Sequence, residues 1–185
     1  MSPLIRFCLA DLESAYKQWG CSNAHAALAA CLGKPVSAMR TALEGFGRIS
    51  GPVQPPMMIT GLARLGWEPR EDHAAAGDQG DRYPEHGLCR IQLDGPWLSG
   101  PNPSKPAAAQ KTHWIATKQM DGVCWIFDIR AGEWLAWAEW HGEIVPRLVA
   151  ATRLANGGFW LSHSWEIRRL LPRGINREQR NQFHA

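Results

Sequence analysis

No CxxC pair, no HExxH, no P-loop glycine–lysine pattern and no GxSxG occurs in these 185 residues. Their absence argues against cysteine-rich zinc sites, zinc proteases, nucleotide hydrolases and serine hydrolases of the nucleophile-elbow type. A glycine-rich dinucleotide turn is missing as well, so no dehydrogenase and no cofactor are expected. No run of about eighteen apolar residues is present, which leaves nothing to span a membrane as a helix. The stretch MSPLIRFCLADLESAYKQW has neither a long apolar core nor the acid-free start of a secretory signal. A large excess of one charge sign is missing too. A net charge of +3 gives no ground for a nucleic-acid partner.

Five cysteines form an odd, widely spaced set (Cys8, Cys21, Cys31, Cys89 and Cys124), which does not suit a disulfide framework. A reducing, cytoplasmic setting is therefore expected, where a free thiol survives. His25 lies one helical turn from Cys21. No further ligands stand at metal-binding spacing, so no metal is expected.

Apolar residues make up 45% of the chain, enough to bury a core, and the length suits one domain. That domain is expected over 1–170, with a helical half at 9–66 and a sheet half at 87–167. A basic tail over 171–185 reads as solvated. The apolar spacing predicts helices over 9–18, from Cys21 to Gly33, from Pro35 through Leu43, and from Pro55 to Gly66. Polar loops are expected over 45–54, 70–86 and 96–111. LCRIQL, THWIAT and VCWIFDI read as strands, the last two joined through Asp121-Gly122. Residues 136–153 suggest a helix interrupted near Pro146, and 158–167 a final strand. Helices first and strands after imply an α+β domain with an antiparallel sheet. Six of the ten tryptophans fall between Trp114 and Trp160, where they fill a core or line a groove.

Within KQWGCSNAHAALAACLG, Cys21 precedes an alanine-rich helix on the stripe 21, 24, 28, 31. A thiol there meets the unpaired N–H groups of a helix start, which stabilise a thiolate. His113 and Asp128 are the candidate base and orienting acid. Pairing positions that sum to 241 places them opposite each other on one face, with Thr117 opposite Cys124. A one-residue slip would separate them. Gln18 is the candidate side-chain donor to an oxyanion, beside the backbone N–H of Cys21. Each residue also has a plainer role: a packed thiol, a strand histidine, an aspartate that starts a turn. Cys31 and Cys124 read as core residues, and His163 as a structural hydrogen bonder.

The order Cys–His–Asp, with the thiol at a helix start and the other two on neighbouring strands, resembles papain-like cysteine peptidases. More narrowly, it resembles small papain-like proteins of bacteriophages and some bacteria. The matching stretches are CSNAHAALAACLGKPV, THWIA, WIFDI, AGEWLAWAEWHGEIVP and GGFWLSHSWEI. Together they cover roughly residues 16–167. The resemblance implies a papain-like fold in which Cys21 is nucleophile, His113 general base and acid, and Asp128 the orienting residue. The implied reaction is cleavage of an amide or isopeptide bond in a protein or peptide substrate, in a phage-infected host's cytoplasm. The same triad suits a transglutaminase-like acyl transfer, and the same scaffold suits a non-proteolytic binding protein. The pattern departs in two places. The family's oxyanion glutamine precedes the cysteine by about six residues, a position held here by Ala15, whereas Gln18 stands three before. Ser22 stands where many relatives have glycine.

Overall fold

The computed structural model describes residues 7–44, 52–72, 83–98, 111–152, 155 and 157–170. Of the loops expected over 45–54, 70–86 and 96–111, residues 45–51, 73–82 and 99–110 lie outside the described residues, as does the basic tail. Four helices come first: α1 (Leu9–Trp19), α2 (Asn23–Leu32), α3 (Val36–Glu44) and α4 (Pro55–Arg64). α1 stops at Gly20 and α2 at Gly33, both with positive φ (79° and 63°), where a side chain would be strained. α4 opens with two prolines in its first turn, where a missing N–H leaves no helical bond unmade.

α2 is the hub of the helical half. Residues Ala24 to Cys31 are all buried, and their small side chains let neighbours approach from every side. Leu28 is fully buried there, and such a side chain contributes about 2 kcal/mol.

The strands are β1 (Trp67–Asp72), β2 (His86–Leu93), β3 (Thr112–Met120), β4 (Val123–Asp128), β5 (Glu133–Ala136) and β6 (Phe159–Arg169). They form one sheet in the order β1-β6-β2-β3-β4-β5, antiparallel throughout. The last strand in sequence thus enters the sheet interior. Alternation sorts side chains onto two cores. Leu88, Trp114, Ala116, Phe127 and Trp165 meet α2, α3 and α4 on one face. Cys89, Ile91, Ile115 and Ile126 meet Trp140, Ile144 and Leu148 on the other.

The architecture is α+β, with N-terminal helices and a C-terminal antiparallel sheet. Several details differ from expectation. α2 starts at Asn23, two residues beyond Cys21. Residues 67–72 form an edge strand that takes in the first three residues of the loop expected over 70–86, and Pro69 is tolerated because an edge needs fewer ladder bonds. Residues 133–136 form a strand that the expected long helix overlapped at its first residue. After it the chain passes through α5 (Trp137–Glu139), a π turn (Trp140–Ile144) and α6 (Val145–Ala151). The expected interruption near Pro146 is therefore a change of winding just before the proline, which lacks the N–H that would continue the ladder.

The β3–β4 register also differs. Asp121 (φ 53°) and Gly122 (φ 76°) form a two-residue turn that pairs Met120 with Val123 and Thr117 with Ile126. Positive φ at both positions fits the mirror-image turn that matches strand twist. The register is displaced by two residues from the expected one. An even displacement keeps every side chain on its face, so His113 and Asp128 remain on a common side. Among the described residues no helix is long and apolar enough to cross a membrane.

Candidate functional site

Asp128 ends β4 on the face covered by the π turn, and its side chain is 0% exposed. A buried carboxylate needs donors, and three arrive. His113 Nε2 lies 2.9 Å from Oδ2, Trp140 Nε1 donates to Oδ2 at 3.0 Å, and the Arg130 backbone N–H donates to Oδ1 at 2.9 Å. Burial alone would push its pKa up. The pull of His113 whenever its ring is protonated, together with the three hydrogen bonds, outweighs it and holds Asp128 below the usual carboxylate range. The π turn has a local purpose here, since Trp140 is its first residue and carries the indole N–H to Asp128.

His113 is 5% exposed and stands at the start of β3. Its second nitrogen, Nδ1, lies 3.0 Å from Asn23 Nδ2. The protons in this chain of contacts follow from one backbone group. β4 pairs with β3 only as far as Ala116, so the Trp114 N–H has no β4 partner. It donates to Asn23 Oδ1 at 3.4 Å. A backbone N–H can only donate, so that atom must be the amide oxygen, and the other atom the NH₂ group. Nδ1 of His113 must then accept, which leaves the ring proton on Nε2, aimed at Asp128. Every group from Trp114 N–H to Asp128 has a definite role.

The structure therefore brings His113 and Asp128 together, and it does not bring Cys21 to them by a hydrogen bond. Among the described contacts of Cys21, its thiol donates weakly to the Ser22 carbonyl at 3.7 Å. The residue is 1% exposed, and burial pushes the thiol pKa up to about 11. Ser22 is the residue that caps α2, so Cys21 sits outside the helix and not in its first turn. The helix position facing His113 belongs to Asn23. Gln18 is on exposed α1 and donates to Ser14 Oγ at 2.9 Å, not to any group of this site.

Asn23 and Trp140 were absent from the sequence-based site. A signal for Asn23 existed: Ser22 is a strong N-cap residue, which places the helix start at 23. His25, three residues after Ser22, completes the cap. Its Nδ1 accepts from the Ser22 N–H at 3.1 Å and, at 2.8 Å, from the Ser22 hydroxyl. Burial, only partly opposed by Glu44, pushes its pKa down to about 4, so it is neutral near pH 7. Among the described residues no group of three or more acids, histidines and cysteines is arranged to hold a metal ion. A cavity of about 480 Å³ lies elsewhere, where α2 and α4 end beside Lys34, Trp67 and Arg169.

Comparison with known proteins found no matching family model, no matching curated protein and no matching solved structure.

Proposed function

We propose that this chain is a papain-like scaffold that binds a protein or peptide partner without cleaving it. The observation that carries the reading is the 3.0 Å contact between Asn23 Nδ2 and His113 Nδ1. In a thiol hydrolase the histidine needs a free nitrogen facing the sulfur, to take its proton. Here that nitrogen is occupied by a carboxamide, which is no nucleophile. Burial pushes the Cys21 thiol up to about 11, so the thiol form and not the thiolate prevails at pH 7. The helical half packed on an antiparallel sheet, with the ordered motifs, supports the papain-like part of the proposal.

A second reading keeps hydrolysis of an amide or isopeptide bond, or acyl transfer of the transglutaminase kind. The His113–Asp128 contact at 2.9 Å favours it, since that pair is what a thiol nucleophile would need. It requires Cys21 Sγ to replace Asn23 at His113 Nδ1.

Alkylation with iodoacetamide at about pH 6 separates the two. On the binding reading, Cys21 reacts no faster than exposed Cys8, and His113→Ala changes nothing. An Asn23→Cys variant acquires a fast-reacting thiol at position 23 whose rate depends on His113. Selective alkylation of Cys21, lost in His113→Ala, would overturn the binding reading in favour of hydrolysis.

A further inference from the structure

Arg90 is a buried cation with no anionic partner among the described residues. It lies in the middle of β2, 6% exposed, on the face covered by the helices. Its Nη1 donates to Ser162 Oγ at 3.2 Å and its Nη2, at a long 3.4 Å, to Gln54 Oε1, both neutral acceptors. Its Nε is buried and has no hydrogen-bond partner. Among the described residues no carboxylate forms an ion pair with it. Taking a guanidinium out of water without a counter-charge is strongly unfavourable, so a protein that keeps one has a use for it or an anion to meet it. Burial also pushes its pKa down, in keeping with the missing counter-charge.

The fold presents this side chain deliberately. The register between β2 and β6 slips at Arg90 and Ile91, which face His163 and Leu161, leaving Ser162 as the extra residue of a bulge. Bulges re-aim side chains, and Ser162 turns its hydroxyl onto Arg90, donating to the Arg90 carbonyl at 3.0 Å. Gln54 approaches from the residue that caps α4. The cluster adjoins the candidate site through Trp114. That residue is the β3 partner of Arg90, its backbone N–H holds Asn23, and its indole N–H donates to the Val53 carbonyl at 2.9 Å, next to Gln54.

We propose that Arg90 is the anion-recognition residue of this protein's binding surface and takes one carboxylate of an acidic peptide, side-on through Nε and Nη2. This rests on the reading of the scaffold as a binding protein. The Gln54 amide is half-buried, accepts from Nη2 at 3.4 Å and donates to the Pro52 carbonyl at 3.2 Å; it is the group that moves aside. A side-on carboxylate accepts two parallel N–H bonds from a guanidinium fork, which would fill the orphaned Nε. Charge selects the ligand. One buried cation balances one negative charge, as a carboxylate supplies, whereas a phosphate monoester brings about −1.5 to −2.

The test uses the full chain and the Arg90 Nε–H resonance, identified by its loss in Arg90→Lys. Probes are acetate, inorganic phosphate and chloride at matched ionic strength. Two tetrapeptides complete the set: an alanine peptide with a free C-terminus, and an amidated one carrying a single glutamate. The expected result is a saturable downfield shift with acetate and with at least one peptide, and none with chloride. The two peptides distinguish a chain terminus from an acidic side chain as the source. Acetate should raise the melting temperature of the wild type by a few degrees and leave Arg90→Met unmoved. Should Arg90→Met fail to fold, the wild-type titration decides alone. An Nε–H signal unmoved by every carboxylate probe overturns the proposal, as does an equal thermal response in Arg90→Met. A saturable phosphate shift without a carboxylate shift overturns the choice of ligand. A silent titration leaves the Asn23–His113 network as it stands, and selective Cys21 alkylation leaves the titration as it stands, so the two readings fail separately.

Discussion

Asn23 Nδ2 stands 3.0 Å from His113 Nδ1, across the imidazole from Asp128, and its own oxygen is pinned by the Trp114 N–H. A single carboxamide thus ties the start of α2 to the start of β3, joining the helical half to the sheet half. Its removal should be felt as stability first. Asn23→Ala leaves both the Trp114 N–H and the His113 lone pair without this partner. A loss of about 2 kcal/mol is expected, read from urea unfolding, with faster amide exchange at Trp114. Unchanged exchange at Trp114 would mean that the amide is not bridging the two halves.

Asp128 is the second anchor. An asparagine there has one acceptor oxygen for donors that approach both carboxylate oxygens, so its NH₂ group must face a donor. Asp128→Asn is expected to cost roughly 3 kcal/mol. Trp140→Phe keeps most of the ring but deletes one N–H, and should cost about 1 kcal/mol plus any loss of packing. Combining the two should give less than the sum, because both act on one carboxylate. Strict additivity would indicate that the indole and the acid are not coupled.

The strand positions of His113 and Asp128 were legible because alternation has a period of two, and a register displaced by two cannot change a face. The two-residue turn at Asp121-Gly122 made the correct register available as well, since such a turn forces Met120 onto Val123. The position of Cys21 was not legible from the apolar stripe. Residues 21, 24, 28 and 31 share a face only if the helix includes 21, and the Ser22 cap starts it at Asn23. Trp140 was hidden for another reason. Its contact with Asp128 joins a helical segment to the end of a strand twelve residues earlier, and no hydrophobic period announces such a pairing. β1 was missed because WEPRED carries a proline and four charged residues, which suit an edge strand as well as a loop.

Two glycines should respond in opposite ways to the same methyl group. At Gly87, in β2, an added Cβ would collide with the Trp165 carbonyl oxygen and the Pro84 ring. Backbone of a central strand cannot step aside, so Gly87→Ala should destabilise by about 3 kcal/mol or prevent folding. At Gly142, in the π turn, an added Cβ meets nothing within 4 Å. Gly142→Ala is expected to be neutral or to stabilise by about 0.5 kcal/mol, through the unfolded chain. Thermal melts of both variants check the pair, and a destabilised Gly142→Ala would show that the turn needs its glycine.

His25 gives the protein an acid sensitivity distinct from that of Asp128. Its pKa falls from 6.5 to about 4 in the fold, because burial disfavours the charged ring. Between those values the unfolded chain binds more protons than the native one, so stability falls as pH drops through this window. The full effect amounts to about 3 kcal/mol once the pH reaches the folded value. Asp128 acts in the same direction but lower, because its pKa is depressed below 3.8 and its contribution is lost only beneath that value. His25→Gln separates the two. Glutamine at this position can still accept the Ser22 N–H, as in a capping box, but it does not titrate. Urea midpoints at pH 7 and at about pH 4.5 should draw together in the variant relative to the wild type. If the variant keeps the wild-type pH slope, His25 is not the group that titrates.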